Sequence, residues 1–195
     1  MSDVTYGPSA LATPANFVTV FRLLVSPFLF AMIVSEGTGW GLFALWVVLA
    51  GTDGIDGWIA RRYGTTRSGA FLDPLADKVL ILGAMCSLAV IGRFSWVPVV
   101  LIGIRELGIS LYRVYWGRRG LAVPARGSAK AKTLVQAFAV GAALIPWGND
   151  LPWVADVSLW VSVVLALVSG AQYLIDGARA ATTMDRTPDP GHALS

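Results

Sequence analysis

Cysteine and histidine are almost missing from this chain. Cys86 is the one cysteine and lies in an apolar run, so no internal disulfide is possible and packing is its expected role. His192 is the one histidine and lies in a polar tail, where solvent is its expected surrounding. No His/Cys cluster exists to offer a zinc site. Charge is scarce too: 14% of the 195 residues are charged against 55% hydrophobic, and mean hydropathy is +0.65. Soluble domains carry about 25% charged residues, so this composition is that of an integral membrane protein. No Lys or Arg precedes the first apolar run at 17–34, and no small-x-small cleavage site follows it. That run therefore reads as a retained span rather than a signal peptide. Long internal repeats and low-complexity blocks are lacking. So is period-two alternation, which argues against buried strands and against an outer-membrane barrel.

What is present is a series of apolar runs at 17–34, 40–61, 71–91, 96–116, 129–147 and 153–176. Each is near the ~20 residues that a membrane-crossing helix needs. The expected fold is an all-α integral membrane protein with six transmembrane helices. It forms a single domain over 1–195, with a polar lead at 1–13 and a polar tail at 180–195. Pro27 is placed to kink the first helix. Basic residues cluster after the second run (Arg61, Arg62, Arg67), after the fourth (Arg118, Arg119, Arg126, Lys130, Lys132) and in the tail (Arg179, Arg186). Only Arg93 falls in the other connections. Positive charge stays inside, so both termini and the second and fourth connections are expected in the cytoplasm, in a cell (inner) membrane. Trp40, Trp96, Trp147 and Trp153 then fall at outer ends as interfacial anchors.

The stretch from Asp53 to Asp77 carries the chemistry. Asp53 and Asp56 are three apart and Asp73 and Asp77 four apart, so on helices each pair shares one face. Four carboxylates beside apolar runs repel one another and are costly unless cations bind them. All-oxygen ligands suit a hard dication such as Mg²⁺ or Mn²⁺, and a formal charge of −4 is balanced by two such ions rather than one. An EF-hand is excluded, because Ile55 occupies a ligand position and the closing Glu is missing. Asp73 followed by Pro74 reads as an N-cap with proline at the first helical position. The Asp53-Gly54 and Asp56-Gly57 pairs have a simpler reading as tight turns or close helix packing.

Basic residues inside the spans make a second group. Arg105 and Arg113 are eight apart and share a face, and Lys130 and Lys132 approach from the connection that follows. Together they form a candidate site for an anionic group. Glu106 stands beside Arg105. Arg22 and Lys78 lie near helix ends, where snorkelling to the interface gives each a structural alternative.

Asp53-x-x-Asp56-Gly57-x-x-Ala60-Arg61, seven residues, then Gly69-x-x-x-Asp73-x-x-x-Asp77 resembles the signature of the CDP-alcohol phosphotransferase family. The resemblance implies transfer of a phospho-alcohol from a CDP-linked donor to an acceptor hydroxyl, with release of CMP, in a polar cavity facing the cytoplasm. It implies Asp53, Asp56, Asp73 and Asp77 as metal ligands and Asp77 as the general base. Asp53, Asp56, Gly57, Ala60, Arg61 and Gly69 become the donor site, the small residues leaving room for the cytidine diphosphate. Segments around Pro14–Arg22, Phe71–Lys78, Ile104–Leu107 and Ala129–Thr133 further resemble the bacterial phosphatidylglycerophosphate synthases. Their donor is CDP-diacylglycerol and their acceptor sn-glycerol 3-phosphate, whose phosphate Arg105, Arg113, Lys130 and Lys132 would hold. Relatives that use inositol phosphate or phosphatidylglycerol share the signature, which leaves the acceptor open among the three. A homodimer in the lipid bilayer is implied by the resemblance, and no nucleic acid is expected as a partner.

A transporter is the alternative from another class, since it too carries charge within its spans. It predicts a polar path across the membrane and paired repeats. The acidic cluster near one face and the lack of repeats favour the enzyme.

Overall fold

A computed structural model describes residues 14–63, 69–118, 128–146 and 151–184, with side chains at 17–52, 74–117, 131–146 and 151–177. The described residues form six α-helices and no strand: α1 (Pro14–Glu36), α2 (Trp40–Tyr63), α3 (Gly69–Val90), α4 (Trp96–Arg118), α5 (Ser128–Leu144) and α6 (Pro152–Met184). Each expected run is one helix. The lead at 1–13, Trp147 and the tail beyond 184 lie outside the described residues.

Where the sequence places stops, the backbone supplies caps. α1 ends at Gly37, which has φ +84° and donates its N–H to Ile33 O at 3.0 Å. α3 ends in a Schellman turn: Gly92, at φ +74°, donates to Ala89 O at 3.1 Å and Arg93 to Leu88 O at 2.8 Å. Both glycines adopt a left-handed conformation that costs a side-chain-bearing residue roughly 1–2 kcal/mol. Gly39 N–H donates to Leu144 O at 3.0 Å, so the α1–α2 turn and the end of α5 lie at one end of the bundle.

Both prolines lie within helices, and for Pro74 this differs from the expected first helical position. Pro27 lies inside α1 and Pro74 inside α3. α3 begins at Gly69, a turn before the expected start, so Asp73 is not its N-cap. Pro74 is early enough in the helix that it leaves a single carbonyl, near the helix start, without an intrahelical donor. α6 also runs past the expected end at 176, to Met184.

The core is one apolar cluster drawn from every helix, including Leu29, Ile33, Trp46, Leu49, Leu80, Met85, Leu88, Ile102, Val140 and Leu159. α1 packs most extensively on α3, and α5 on α6. At the first of these contacts Gly83 faces the outer edge of the Phe30 ring so closely that a Cβ there would overlap Cζ and Cε2. The indole Nε1 of buried Trp46 reaches across from α2 to Ala137 O on α5 at 3.2 Å.

The outer faces carry many large apolar side chains. Phe17, Leu24, Leu111 and Leu134 are each more than 70% exposed, and Trp40, Trp96 and Trp153 stand exposed where three helices begin. Contiguous exposed apolar surface on this scale marks an interaction with lipid or protein. α1 from Phe17 and α6 to Gly177 are long and apolar enough to cross a membrane, and shorter apolar segments lie at Trp40–Thr52 and Ala131–Leu144.

Candidate active site

α2 carries Asp53, Asp56, Gly57, Ala60 and Arg61, and α3 carries Gly69, Asp73 and Asp77. Both helices are continuous through these positions and pack on each other. Asp53 and Asp56 are therefore about 4.5 Å apart along one helix axis, and Asp73 and Asp77 about 6 Å along the other. Among the eight signature residues only the side chain of Asp77 is described, and it is half-buried. The donor set on the two helices is all carboxylate oxygen, without nitrogen or sulfur, which fits a hard divalent cation.

Arg22 on α1 approaches this region from within the bundle. It is 1% exposed, and its Nε donates to Thr52 Oγ1 at 3.3 Å, while Thr52 Oγ1 donates to Leu49 O at 2.6 Å. Thr52 is the residue before Asp53. Of the two alternatives open for Arg22, its burial and its bond to α2 exclude snorkelling to the interface.

Lys78, next to Asp77, leads from the aspartates to the basic cluster. Its Nζ donates to Ser110 Oγ on α4, and Ser110 Oγ donates to Glu106 O at 2.6 Å. Lys78 is thus held by α4 rather than reaching for an interface.

Glu106, 7% exposed, is the centre of the cluster. Its Oε1 accepts a hydrogen bond from Arg105 Nη1 at 2.8 Å and another from Lys132 Nζ. Arg105 is anchored further on α6, where Nε donates to Ala166 O at 2.9 Å and Nη2 to Ser169 Oγ at 2.8 Å. Gly170 makes room for this arm: a Cβ there would lie 3.2 Å from Arg105 Nε. Charged groups so deeply buried persist only when paired and hydrogen-bonded, as these are.

Of the expected anion-binding residues, the structure brings Arg105 and Lys132 together at Glu106. Arg113 lies two turns along α4 and is exposed, with its guanidinium carbon 5.5 Å from the centre of the Tyr173 ring on α6. Lys130 and Lys132 are in the first two turns of α5 rather than in a connection, and the Lys130 side chain lies outside the described residues. Ser110 and Ser169 were not singled out by sequence reasoning; each is an ordinary helix serine until the partner helix is in place. Glu106 carried a signal, a carboxylate beside an arginine in an apolar run, but not its role.

A cavity of about 430 Å³ between α2, α5 and the start of α6 is not this site. Its lining of Phe43, Trp46, Phe138, Ile145 and Leu151 among others is apolar, and Trp46 stands about 10 Å along α2 from Asp53.

Four aspartate positions on two packed helices and a buried cationic cluster in a helical bundle belong, by family, to a class of transferases. The chain belongs to the CDP-alcohol phosphatidyltransferase family, whose model matches residues 12–168. It is 37% identical over 182 residues to a probable phosphatidylglycerophosphate synthase of Mycobacterium tuberculosis, covering 89% of this chain and 85% of that protein. It is 34% identical over 167 residues to the CDP-diacylglycerol--glycerol-3-phosphate 3-phosphatidyltransferase of Haemophilus influenzae, covering 81% and 89%. The Bacillus subtilis protein of that name is 32% identical over 181 residues, covering 81% and 91%.

Proposed function

We propose that the chain transfers the phosphatidyl group of CDP-diacylglycerol to sn-glycerol 3-phosphate, giving phosphatidylglycerophosphate and CMP. The observation that carries this reading is the cationic cluster of Arg105 and Lys132 at Glu106, to whose helix Lys78, the residue after Asp77, is tied through Ser110. In this reading the cluster binds a phosphate and Asp77 takes a proton. The names of the similar proteins supply the donor and the acceptor.

Asp53, Asp56, Asp73 and Asp77 would hold Mg²⁺ or Mn²⁺, two ions by charge balance. When bound, these supply positive charge against the donor's diphosphate. Gly57, Ala60 and Gly69 leave room for the cytidine diphosphate and Arg61 binds its phosphates. Arg105, Lys132, Lys130 and Arg113 hold the acceptor's phosphate, which aims its free hydroxyl toward Asp77. Asp77 takes the hydroxyl proton as the oxygen bonds to the lipid-side phosphorus. The P–O bond to the bridging oxygen breaks, and CMP leaves with the electron pair.

The exposed apolar faces support a bilayer location. All six helices cross it in this reading, with the active-site cavity and both termini on the cytoplasmic side of a cell (inner) membrane. A homodimer belongs to the same proposal.

Asp77→Asn tests the assignment, because it keeps the shape of the side chain and removes its basicity. In purified protein, CMP release should fall by at least about 100-fold while the elution profile and melting temperature stay those of the parent. Activity should also disappear on chelation and return with Mg²⁺ or Mn²⁺. Full activity in the variant would remove Asp77 as the base, and turnover that survives exhaustive chelation would remove the metal-assisted reading.

A further inference from the structure

The carboxylate of Glu106 takes no part in the transfer set out above, yet it is the point at which two cations meet. Glu106 Oε1 accepts from Arg105 Nη1 at 2.8 Å and from Lys132 Nζ, and both side chains are about nine-tenths buried. Lys78 adds a third cation on the same stretch of α4, its Nζ donating to Ser110 Oγ, which donates to Glu106 O.

We infer that Glu106 is a positioning residue for the acceptor: it fixes Lys132 and Arg105 against each other so that their remaining donors converge on a phosphate monoester. The inference rests on the function reading above and deepens it. Donor counting supports it. An ammonium has three N–H groups and a guanidinium five. Lys132 gives one to Glu106, and Arg105 gives three, to Glu106 Oε1, Ala166 O and Ser169 Oγ. Each cation therefore keeps two donors while its position is set.

Charge supports it too. A carboxylate placed only to neutralise a buried cation would meet one partner, whereas here one carboxylate meets two, with Lys78 a third cation held by Ser110 on the same helix. The surplus of two positive charges matches a phosphate monoester, which carries about −1.5 to −2 at neutral pH. Sharing a single oxygen also fixes the angle between lysine and arginine, which separate carboxylates would leave free.

The test uses Glu106→Gln and Glu106→Asp in purified protein with CDP-diacylglycerol and Mg²⁺. Initial rates are taken against each substrate in turn. Glu106→Gln keeps the acceptor oxygen and loses the charge, while Glu106→Asp keeps the charge and draws the carboxylate back by about 1.5 Å. For Glu106→Gln the KM for glycerol 3-phosphate should rise about tenfold, equivalent to ~1.4 kcal/mol, with that for CDP-diacylglycerol within about twofold. Glu106→Asp should show a smaller rise in the same direction. A merely structural role predicts a lower kcat from a smaller active fraction, with both KM values unchanged.

An unchanged acceptor KM in either folded variant, or an equal rise in both KM values, overturns the inference. If Glu106→Gln does not fold, Glu106→Asp decides on the same criterion. Failure of both to fold assigns Glu106 to the fold and also overturns it. If the wild type does not use glycerol 3-phosphate, the function reading falls and this inference with it. An active wild type with unaltered variant KM values removes the inference alone.

Discussion

Replacing Lys132 by Met asks whether the buried charges act as a unit. Removing one partner of a buried ion pair costs about 3–5 kcal/mol, because the other charge is left uncompensated. In this cluster Glu106 would still be held by Arg105 at 2.8 Å, so Lys132→Met should cost less, about 2–3 kcal/mol. Glu106→Gln leaves both Arg105 and Lys132 without a counter-charge and should cost more, about 4–5 kcal/mol. The double variant removes one of those stranded cations together with the carboxylate. It should be less destabilised than the sum of the two by ~2 kcal/mol, within the range of contacting residues. At roughly 2–4 °C per kcal/mol for a chain of this size, the single changes should lower the melting temperature by about 4–12 °C and 8–20 °C. The assay is thermal unfolding of the three variants and the parent in one detergent, followed by tryptophan fluorescence. Effects that add to within about 0.5 kcal/mol would refute the reasoning, since independent sites behave that way.

Gly83→Ala should destabilise the α1–α3 contact by about 1–3 kcal/mol, because its Cβ would overlap the Phe30 ring. Adding Phe30→Ala should recover part of that loss, and melting temperatures of the two single variants and the double check it. Arg105→Ala removes bonds to Glu106, Ala166 and Ser169 and should raise the acceptor KM by about 100-fold. Arg113→Ala, exposed over Tyr173, should raise it by less than about tenfold, and initial rates at varied glycerol 3-phosphate test the order. Gly177→Ala should perturb α4–α6 packing, since a Cβ there would lie 2.9 Å from Tyr112 Cε1. A melting temperature restored by Tyr112→Ala would verify that contact.

Helices could be read from composition because apolar runs of about 20 residues leave few alternatives. Each run became one helix, and Gly37 and Gly92 end theirs where the sequence has little else to stop them. Pro74 misled because a proline near the start of a helix is tolerated within it as well as at its first position. Its context alone did not distinguish the two, and α3 starts at Gly69. Arg22 stayed open for another reason: its distance from a helix end is visible in sequence, but the side it faces depends on Thr52, 30 residues away. The aspartate offsets were legible because helical spacing alone puts each pair on one face. The role of Glu106 was not, since its partner Lys132 is 26 residues distant and Arg105 is fixed by Ser169, 64 residues on. Contacts that close only when α4, α5 and α6 pack leave no periodic trace.

The central claim is met most directly by offering purified protein CDP-diacylglycerol and Mg²⁺ with one labelled acceptor at a time: glycerol 3-phosphate, inositol phosphate, inositol, serine or phosphatidylglycerol. Both CMP and the lipid product are followed. The account predicts stoichiometric CMP and phosphatidylglycerophosphate with glycerol 3-phosphate, at a rate well above that with the other four. Turnover that prefers another acceptor would contradict the acceptor assignment, and no CMP with any of them would contradict the proposed reaction.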